Sequence, residues 1–191
     1  VDSDGFDERV SIQATITVTP EGVTVDYSGS TGQIRYGINE TFNHTYAYTI
    51  FPFKCLLSPG LPNNDGFTRL FKVIAPEGTI VNARPPAAVG ARHLIGHQLQ
   101  AAVFEAMSTV FPERVQADSG TPLWSVLLRG VDVEKGTSFS TILFFNGGMG
   151  AMRDRDGPPA AGFPANISNT PIEVAETHAP IVFGQKSLTN G

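Results

Sequence analysis

Two histidines, His93 and His97, stand four residues apart in the segment with the clearest helical periodicity. Residues at this spacing share one face of a helix, where two imidazoles can hold one metal ion. The zinc-peptidase pattern also needs a glutamate directly after the first histidine, and Leu94 stands there instead. Because the spacing supplies no third ligand, we expect no metal site in this chain. The simpler interpretation is a pair of partly exposed histidines on the polar face of a helix.

A glycine-rich run, FNGGMGA at 145–151, follows a predicted strand. Successive glycines let backbone N–H groups converge on an anion. The run matches neither the Walker loop nor the dinucleotide-binding pattern, since it lacks the lysine of the first and the apolar helix start of the second. Two interpretations stay open: an anion-binding loop, and a long turn after an edge strand.

A third candidate combines Thr170, Pro171, Glu173 and Glu176. Thr170 followed three residues later by Glu173 is a capping box, with Pro171 at the first helical position. This pattern predicts a short helix that ends before Pro180. The two glutamates share one face, and paired carboxylates can perform acid–base chemistry or hold a metal. Because Glu173 is assigned to the cap, Glu176 is the candidate catalytic carboxylate.

Composition excludes several classes of protein. The 191 residues are 41% hydrophobic and 16% charged, which argues against a disordered chain. A net charge of −5 without a basic run argues against binding to nucleic acid or to an anionic membrane. The single cysteine, Cys55, rules out an internal disulfide and fits a cytoplasmic protein. The most apolar window, 46–57, is interrupted by Pro52 and Lys54 and is too short to span a bilayer.

The periodicity of apolar residues predicts an α+β fold with a mostly antiparallel or mixed sheet. One long amphipathic helix is expected at about 91–111, with Ile95, Leu99, Val103 and Ala106 on its buried face. For 39–57, residue propensity favours a strand and length favours a helix, and we predict a helix there. Another short helix is expected after Pro171. Strands are predicted at 11–19, 23–27, 70–75, 79–82, 123–129 and 138–145. We expect residues 1–191 to form a single domain or a fragment of a longer protein, because the sequence starts at Val1 instead of a methionine and ends abruptly at Gly191.

Four ordered blocks of the chain resemble the hydantoinase B/oxoprolinase family. Each block is moderately specific, and their order and spacing together are highly specific. The blocks are VDYSGSTGQ at 25–33 with Asn39, IVN at 80–82 with PAAVGAR at 86–92 and PERVQADSG at 112–120, GGMGA at 147–151 with DG at 156–157, and the segment 166–180.

The resemblance implies an ATP-dependent cyclic-amide hydrolase. Members of the family include 5-oxoprolinases and N-methylhydantoinases, with related acetone and acetophenone carboxylases. An A subunit or domain binds ATP with Mg²⁺ and hydrolyses it, and the B part works with it to open the activated ring. Family B chains are much longer, and their divalent-metal ligands precede the region matched here. The resemblance therefore implies a middle-to-late slice of a B subunit that holds no cofactor and is inactive by itself.

The substrate of such an enzyme is a small cyclic amide, whose carbonyl and carboxylate call for N–H donors, Asn amides and Arg. We infer that the substrate-binding residues that supply these groups are Asn39, Asn82, Arg92, Gly148, Gly150, Asn166 and Asn169. Two other hypotheses stay open. One is a non-catalytic scaffold segment that forms the interface between the A and B subunits, and the other is a free-standing β-rich binding module.

Overall fold

The computed structural model describes residues 2–3, 9–120 and 123–187, and the chain divides into two compact units, Val1–Val115 and Gln116–Gly191. Helices and strands occur in both units, so the predicted α+β class is confirmed. Within the described residues, no helix combines the length and the apolar character that crossing a bilayer requires.

The first unit contains a three-stranded mixed sheet of β3 (Thr15–Thr19), β4 (Gly22–Asp26) and β5 (Phe71–Ile74). β3 and β4, which correspond to the strands predicted at 11–19 and 23–27, form an antiparallel hairpin, and β5 lies parallel to β4. A short antiparallel pair, β1 (Asp2–Ser3) with β2 (Arg9–Val10), precedes them. The alternation of apolar and polar residues places Val25 of β4 and Phe71 of β5 in the core, whereas Val18 of β3 is 68% exposed.

The predicted strand at 79–82 is wrong. Thr79 and Asn82 form an isolated bridge within a tight turn. The Thr79 hydroxyl donates to the Pro76 carbonyl at 2.7 Å, and the Asn82 amide nitrogen donates to the Ala75 carbonyl at 2.8 Å. These local side-chain bonds compete with strand pairing and close the turn instead.

Three helices pack in the same unit: α1 (Phe42–Leu57), α2 (Asp65–Thr68) and α3 (His93–Ser108). α1 confirms the helix predicted at 39–57 and tolerates Pro52 in its interior. Buried hydroxyls connect it to the core, because Thr45 donates to the Val81 carbonyl at 2.6 Å and Thr49 lies 2.9 Å from the Tyr27 hydroxyl.

α3 is shorter than predicted. Three of the four residues predicted on its inner face are buried, and the fourth, Ala106, is half-buried. Ile95, Leu99 and Val103 are buried, whereas Val110 lies beyond the helix and is 64% exposed. His97 lies on the same face and is only 6% exposed. The interpretation of both histidines as partly exposed is therefore wrong for His97.

The second unit is built on a hairpin of β6 (Trp124–Asp132) and β7 (Thr137–Phe145), which confirms the strands predicted at 123–129 and 138–145. In the turn between the two strands, Asp132 Oδ1 accepts hydrogen bonds from the Glu134 and Lys135 N–H groups, and Gly136 adopts a φ of +65°. A short helix, α4 (Ile172–His178), follows a long irregular segment.

α4 confirms the predicted short helix, but the predicted capping box is wrong. Pro171 occupies the N-cap position, and no side chain caps the helix there. The Thr170 hydroxyl accepts instead from the Phe144 N–H at 3.2 Å, and the Thr170 N–H donates to the Phe144 carbonyl at 3.1 Å. A tertiary contact with the end of β7 has displaced the local cap.

Candidate functional site

A polar cluster lies where α1 faces α3 in the first unit. Its members, called the histidine cluster below, are Glu40, His44, Tyr48, His93 and His97. The first three are spaced at i, i+4 and i+8 around the start of α1, so they share one face. The last two are one turn apart on α3. This arrangement brings the two predicted histidines together with a third from another helix.

Glu40 and His44 form the closest contact of the cluster. Glu40 is completely buried, and its Oε2 lies 2.7 Å from His44 Nδ1. Its backbone is fixed by bonds with the Ile80 carbonyl at 2.7 Å and the Ala83 N–H at 2.9 Å. Glu40 Oε1, in contrast, is buried and meets no hydrogen-bond partner among the described residues. The segment that leads into α1 thus places a carboxyl group in the core with only one of its two oxygens hydrogen-bonded.

The imidazole of His44 is held from two further sides. It stacks on the Tyr48 ring with 4.2 Å between centroids. On the α3 side, a Cβ added at Gly96 would lie 2.9 Å from His44 Cε1 and from Tyr48 Cδ1. Glycine inside a helix costs about 1 kcal/mol relative to alanine. Gly96 is therefore the residue that lets the two rings approach α3.

Burial controls the protonation of the cluster. It raises the pKa of Glu40 to about 8, and the positive charge of Arg92 opposes this rise. The N–H groups of Thr41 and Gly96 face the carboxyl and also lower its pKa, without completing a bond to Oε1. Glu40 is therefore mainly a neutral carboxylic acid at pH 7.

The histidines respond in the opposite sense. Burial, with His93 and His44 nearby, lowers the pKa of His97 to about 4. Burial and Arg92 also lower the pKa values of His44 and His93. All three imidazoles are therefore neutral at pH 7. Titratable groups with strongly shifted pKa values concentrate at functional sites, so the cluster is a candidate acid–base site.

The cluster does not have the geometry of a metal centre. Across the part of the chain that the structure describes, no three His, Cys, Asp or Glu side chains converge closely enough to hold a metal ion. A protein zinc site needs three or four such ligands. The resemblance places the family's divalent-metal ligands before this region of the chain, and not at the histidine cluster.

Asn39, a predicted substrate-binding residue, is buried and bonded on all sides. Its Oδ1 accepts from the Ile34 N–H at 2.8 Å. Its Nδ2 lies 2.8 Å from the Ile34 and Tyr36 carbonyls and 2.9 Å from the Ala88 carbonyl. Asn39 thereby connects two loops beside Glu40, and its role toward a substrate stays a prediction.

Two other predicted substrate-binding residues of this unit are Arg92 and Asn82. Arg92 is exposed at the start of α3, where one guanidinium nitrogen lies 3.3 Å from the Val89 carbonyl and its charge acts on Glu40. Asn82 uses its amide nitrogen on the Ala75 carbonyl. Of the candidates in this unit, Asn39 and Arg92 adjoin the histidine cluster.

In the second unit, the glycine-rich loop packs tightly on its neighbours. The Gly150 N–H donates to the Ser119 hydroxyl at 3.3 Å, and a Cβ at Gly150 would overlap the Ala117 carbonyl. Gly148 adopts a φ of +94°, which favours glycine. These features explain the glycines by backbone packing, and anion binding by Gly148 and Gly150 stays a prediction.

The remaining candidates of the second unit also make local contacts. Asn169 Oδ1 accepts from the Asn146 N–H at 2.8 Å, and Asn166 adopts a φ of +53°. Glu176 is exposed, and its Oε1 accepts from the Phe183 N–H at 2.8 Å. The structure thus brings Asn169 to the end of β7, and it gives Glu176 a bond to the segment after α4.

Sequence analysis missed Glu40 and His44. Their spacing of four residues at the start of a predicted helix is the same signal that singled out His93 and His97. Their proximity to α3 depends on tertiary packing, which the spacing does not contain.

Comparisons with known proteins agree on one family. The model of the family described as Hydantoinase B/oxoprolinase matches residues 1–191. The uncharacterized protein MJ0963 of Methanocaldococcus jannaschii is 33% identical over 95% of this chain and 32% of its own length. The 5-oxoprolinase PfmaA of Pestalotiopsis fici is 24% identical over 98% of this chain and 15% of its own length.

Among solved structures, the ATP-dependent caprolactamase from Pseudomonas jessenii matches with a TM-score of 0.74 and 25% identity. The match covers 93% of this chain and 32% of the caprolactamase chain. The chain thus spans about a third, or less, of the length of the proteins it matches.

Proposed function

The chain belongs to the hydantoinase B/oxoprolinase family, and on that premise we propose that it is part of the B component of an ATP-dependent enzyme that opens a cyclic amide. One observation carries the proposal: nearly the whole chain shares its fold with a caprolactamase that is ATP-dependent and acts on a lactam. The similarity to a 5-oxoprolinase supports the same substrate class.

The chemistry explains why such an enzyme needs two components. A five-membered lactam is a stable amide, and activation of its oxygen by phosphorylation would make the carbonyl open to attack by water. The chain carries no Walker lysine motif, so the ATP and Mg²⁺ would bind to a hydantoinase A-like partner. The B component would then supply substrate contacts and acid–base groups. The 191-residue chain by itself is expected to hydrolyse neither ATP nor the amide.

The test uses the complete B subunit that contains this segment, together with its A-like partner. Each is assayed alone and combined, with and without ATP, on 5-oxoproline, hydantoin, caprolactam and acetone. We expect a ring-opened amino acid from at least one cyclic amide, formed only when both proteins and ATP are present. Carboxylation of acetone without ring opening, or no product from any cyclic amide, would contradict the proposal.

One observation favours a scaffold role as the second candidate function. Four predicted site residues use their polar side chains on backbone groups: Asn39, Asn82, Asn169 and Glu176. Under this alternative, Asn39→Ala lowers the melting temperature of the complete enzyme but leaves KM unchanged. A rise in KM at unchanged stability would instead support substrate contact.

A further inference from the structure

In the Glu40–His44 pair, Glu40 is protonated because a charged carboxylate would be unfavourable at its buried position. Burying a charged carboxylate without full hydrogen bonding is strongly unfavourable, and Glu40 Oε1 has no partner in the described part of the molecule. A neutral carboxylic acid avoids this cost and gains an O–H donor. At 2.7 Å, that donor is directed to His44 Nδ1. The remaining proton of the neutral imidazole then lies on Nε2.

The pair is oriented for proton transfer outward. The His44 side chain keeps 20% of its surface exposed, whereas Glu40 has none. Stacking on Tyr48 fixes the plane of the imidazole, and Gly96, which has no Cβ, leaves room for the ring beside α3. A buried carboxyl group behind a partly exposed histidine is the arrangement by which a positioned imidazole exchanges protons with a reacting group.

The groups around the pair favour release of the proton. Tyr48 faces it from α1, while Arg92, His93 and His97 face it from α3. The two histidines of α3 are neutral at pH 7 and add no charge that would repel a proton. Arg92 is the one cation that acts on Glu40 among the groups described here, and it stabilises the carboxylate that proton delivery leaves behind.

We propose that Glu40 and His44 form a proton-transfer dyad that protonates the nitrogen leaving the opened amide. This assignment rests on the proposed function. When the C–N bond breaks, the His44 Nε2 proton moves to the nitrogen, and the Glu40 proton moves to Nδ1. The water that attacks supplies the oxygen bonded to the acyl carbon. Its released proton is taken up at His44 Nε2 while the Nδ1 proton returns to Glu40, which restores both groups. ATP transfers its terminal phosphoryl group to the amide oxygen, so breakage of the C–N bond leaves an acyl phosphate. A second water hydrolyses this acyl phosphate to the carboxylate and inorganic phosphate, and the overall reaction balances with two waters consumed.

The decisive variant is Glu40→Gln in the complete enzyme with its partner. Glutamine has the shape of the neutral acid and can still donate a hydrogen bond to His44 Nδ1, but it has no transferable acid proton. We expect kcat to fall by a factor of about 10² to 10⁴ with little change in KM. In the wild type, kcat should fall above an apparent pKa of about 8 as Glu40 ionises. This alkaline decline should disappear in the variant.

Matched controls are Glu105→Gln and His178→Gln, since both residues are exposed; both variants should keep the wild-type kcat. His44→Gln should lose as much kcat as Glu40→Gln, and if it does not fold, Glu40→Gln decides alone. Full activity and an unchanged alkaline decline in Glu40→Gln would overturn the dyad while leaving the proposed function intact. A wild type without ATP-dependent ring opening would instead refute the proposed function, and the dyad with it.

Discussion

The neutral state of Glu40 makes a prediction about stability as a function of pH. The folded-state pKa of about 8 lies above the ordinary value of 4.5. Between these values the folded chain retains a proton that the unfolded chain has lost. The free energy of unfolding therefore receives its full contribution from Glu40 at low pH and loses it as pH rises toward 8. Replacing Glu40 by glutamine removes this loss.

The magnitude follows from the size of the shift. At about 1.4 kcal/mol for each unit of pKa, the upper limit is about 5 kcal/mol. Relaxation around a buried charge reduces such values, so we expect a gain of a few kcal/mol for Glu40→Gln over wild type as pH rises from 5 to 8. The lowered pKa values of His44, His93 and His97 act in the opposite sense, since their contribution is lost as pH falls below 6.5. These histidines are present in both proteins.

The assay is urea unfolding of the chain and its variants at pH 5, 6, 7 and 8, with the slope of each transition compared. Glu105→Gln is the control, because its exposed carboxyl should give a curve parallel to wild type. The reasoning is refuted if the stability difference between Glu40→Gln and wild type stays constant over this range. That result would mean that Glu40 ionises at its ordinary pKa.

Three further predictions concern α3: two test its packing and one tests whether its histidines bind a metal ion. Leu99→Ala should cost about 2–5 kcal/mol of stability in urea unfolding, whereas the exposed Leu94→Ala should cost under ~1 kcal/mol; equal costs would contradict the assigned buried face. Gly96→Ala should lower the free energy of unfolding by about 1–2 kcal/mol, because the unfavourable contact with two rings of α1 exceeds the gain in helix propensity. Gly90→Ala is the control and should not destabilise the chain, because a Cβ at this position would meet open space. Zinc or nickel should not raise the melting temperature, and a saturable rise that His97→Ala abolishes would contradict this.

The elements that the sequence predicted correctly are those with strong local periodicity. The alternation in β3 and β4 and the apolar repeat through Ile95, Leu99 and Val103 follow from side-chain direction alone. The predictions that were wrong concern segments whose structure is determined by side-chain hydrogen bonds. Thr79 bonds within its own turn, and Thr170 bonds to a distant strand in place of the helix end.

The candidate site was harder to predict, because residue type does not reveal whether a polar group is already engaged. Asn39 has the right chemistry for a substrate contact, yet four backbone contacts occupy its amide. Glu40 appeared as an ordinary residue between two motif positions. Its burial and its bond to His44 depend on the approach of α3, which the sequence of α1 does not encode by itself.

We propose that the complete protein opens a cyclic amide in a reaction coupled to ATP hydrolysis. The most direct measurement is mass-spectrometric detection of the ring-opened amino acid, together with ADP, from the purified B subunit and its A-like partner. We expect both products in equal amounts, and neither amino acid nor substrate-dependent ADP when the B subunit is omitted. ATP hydrolysis that no cyclic amide stimulates, with every amide recovered intact, would contradict it.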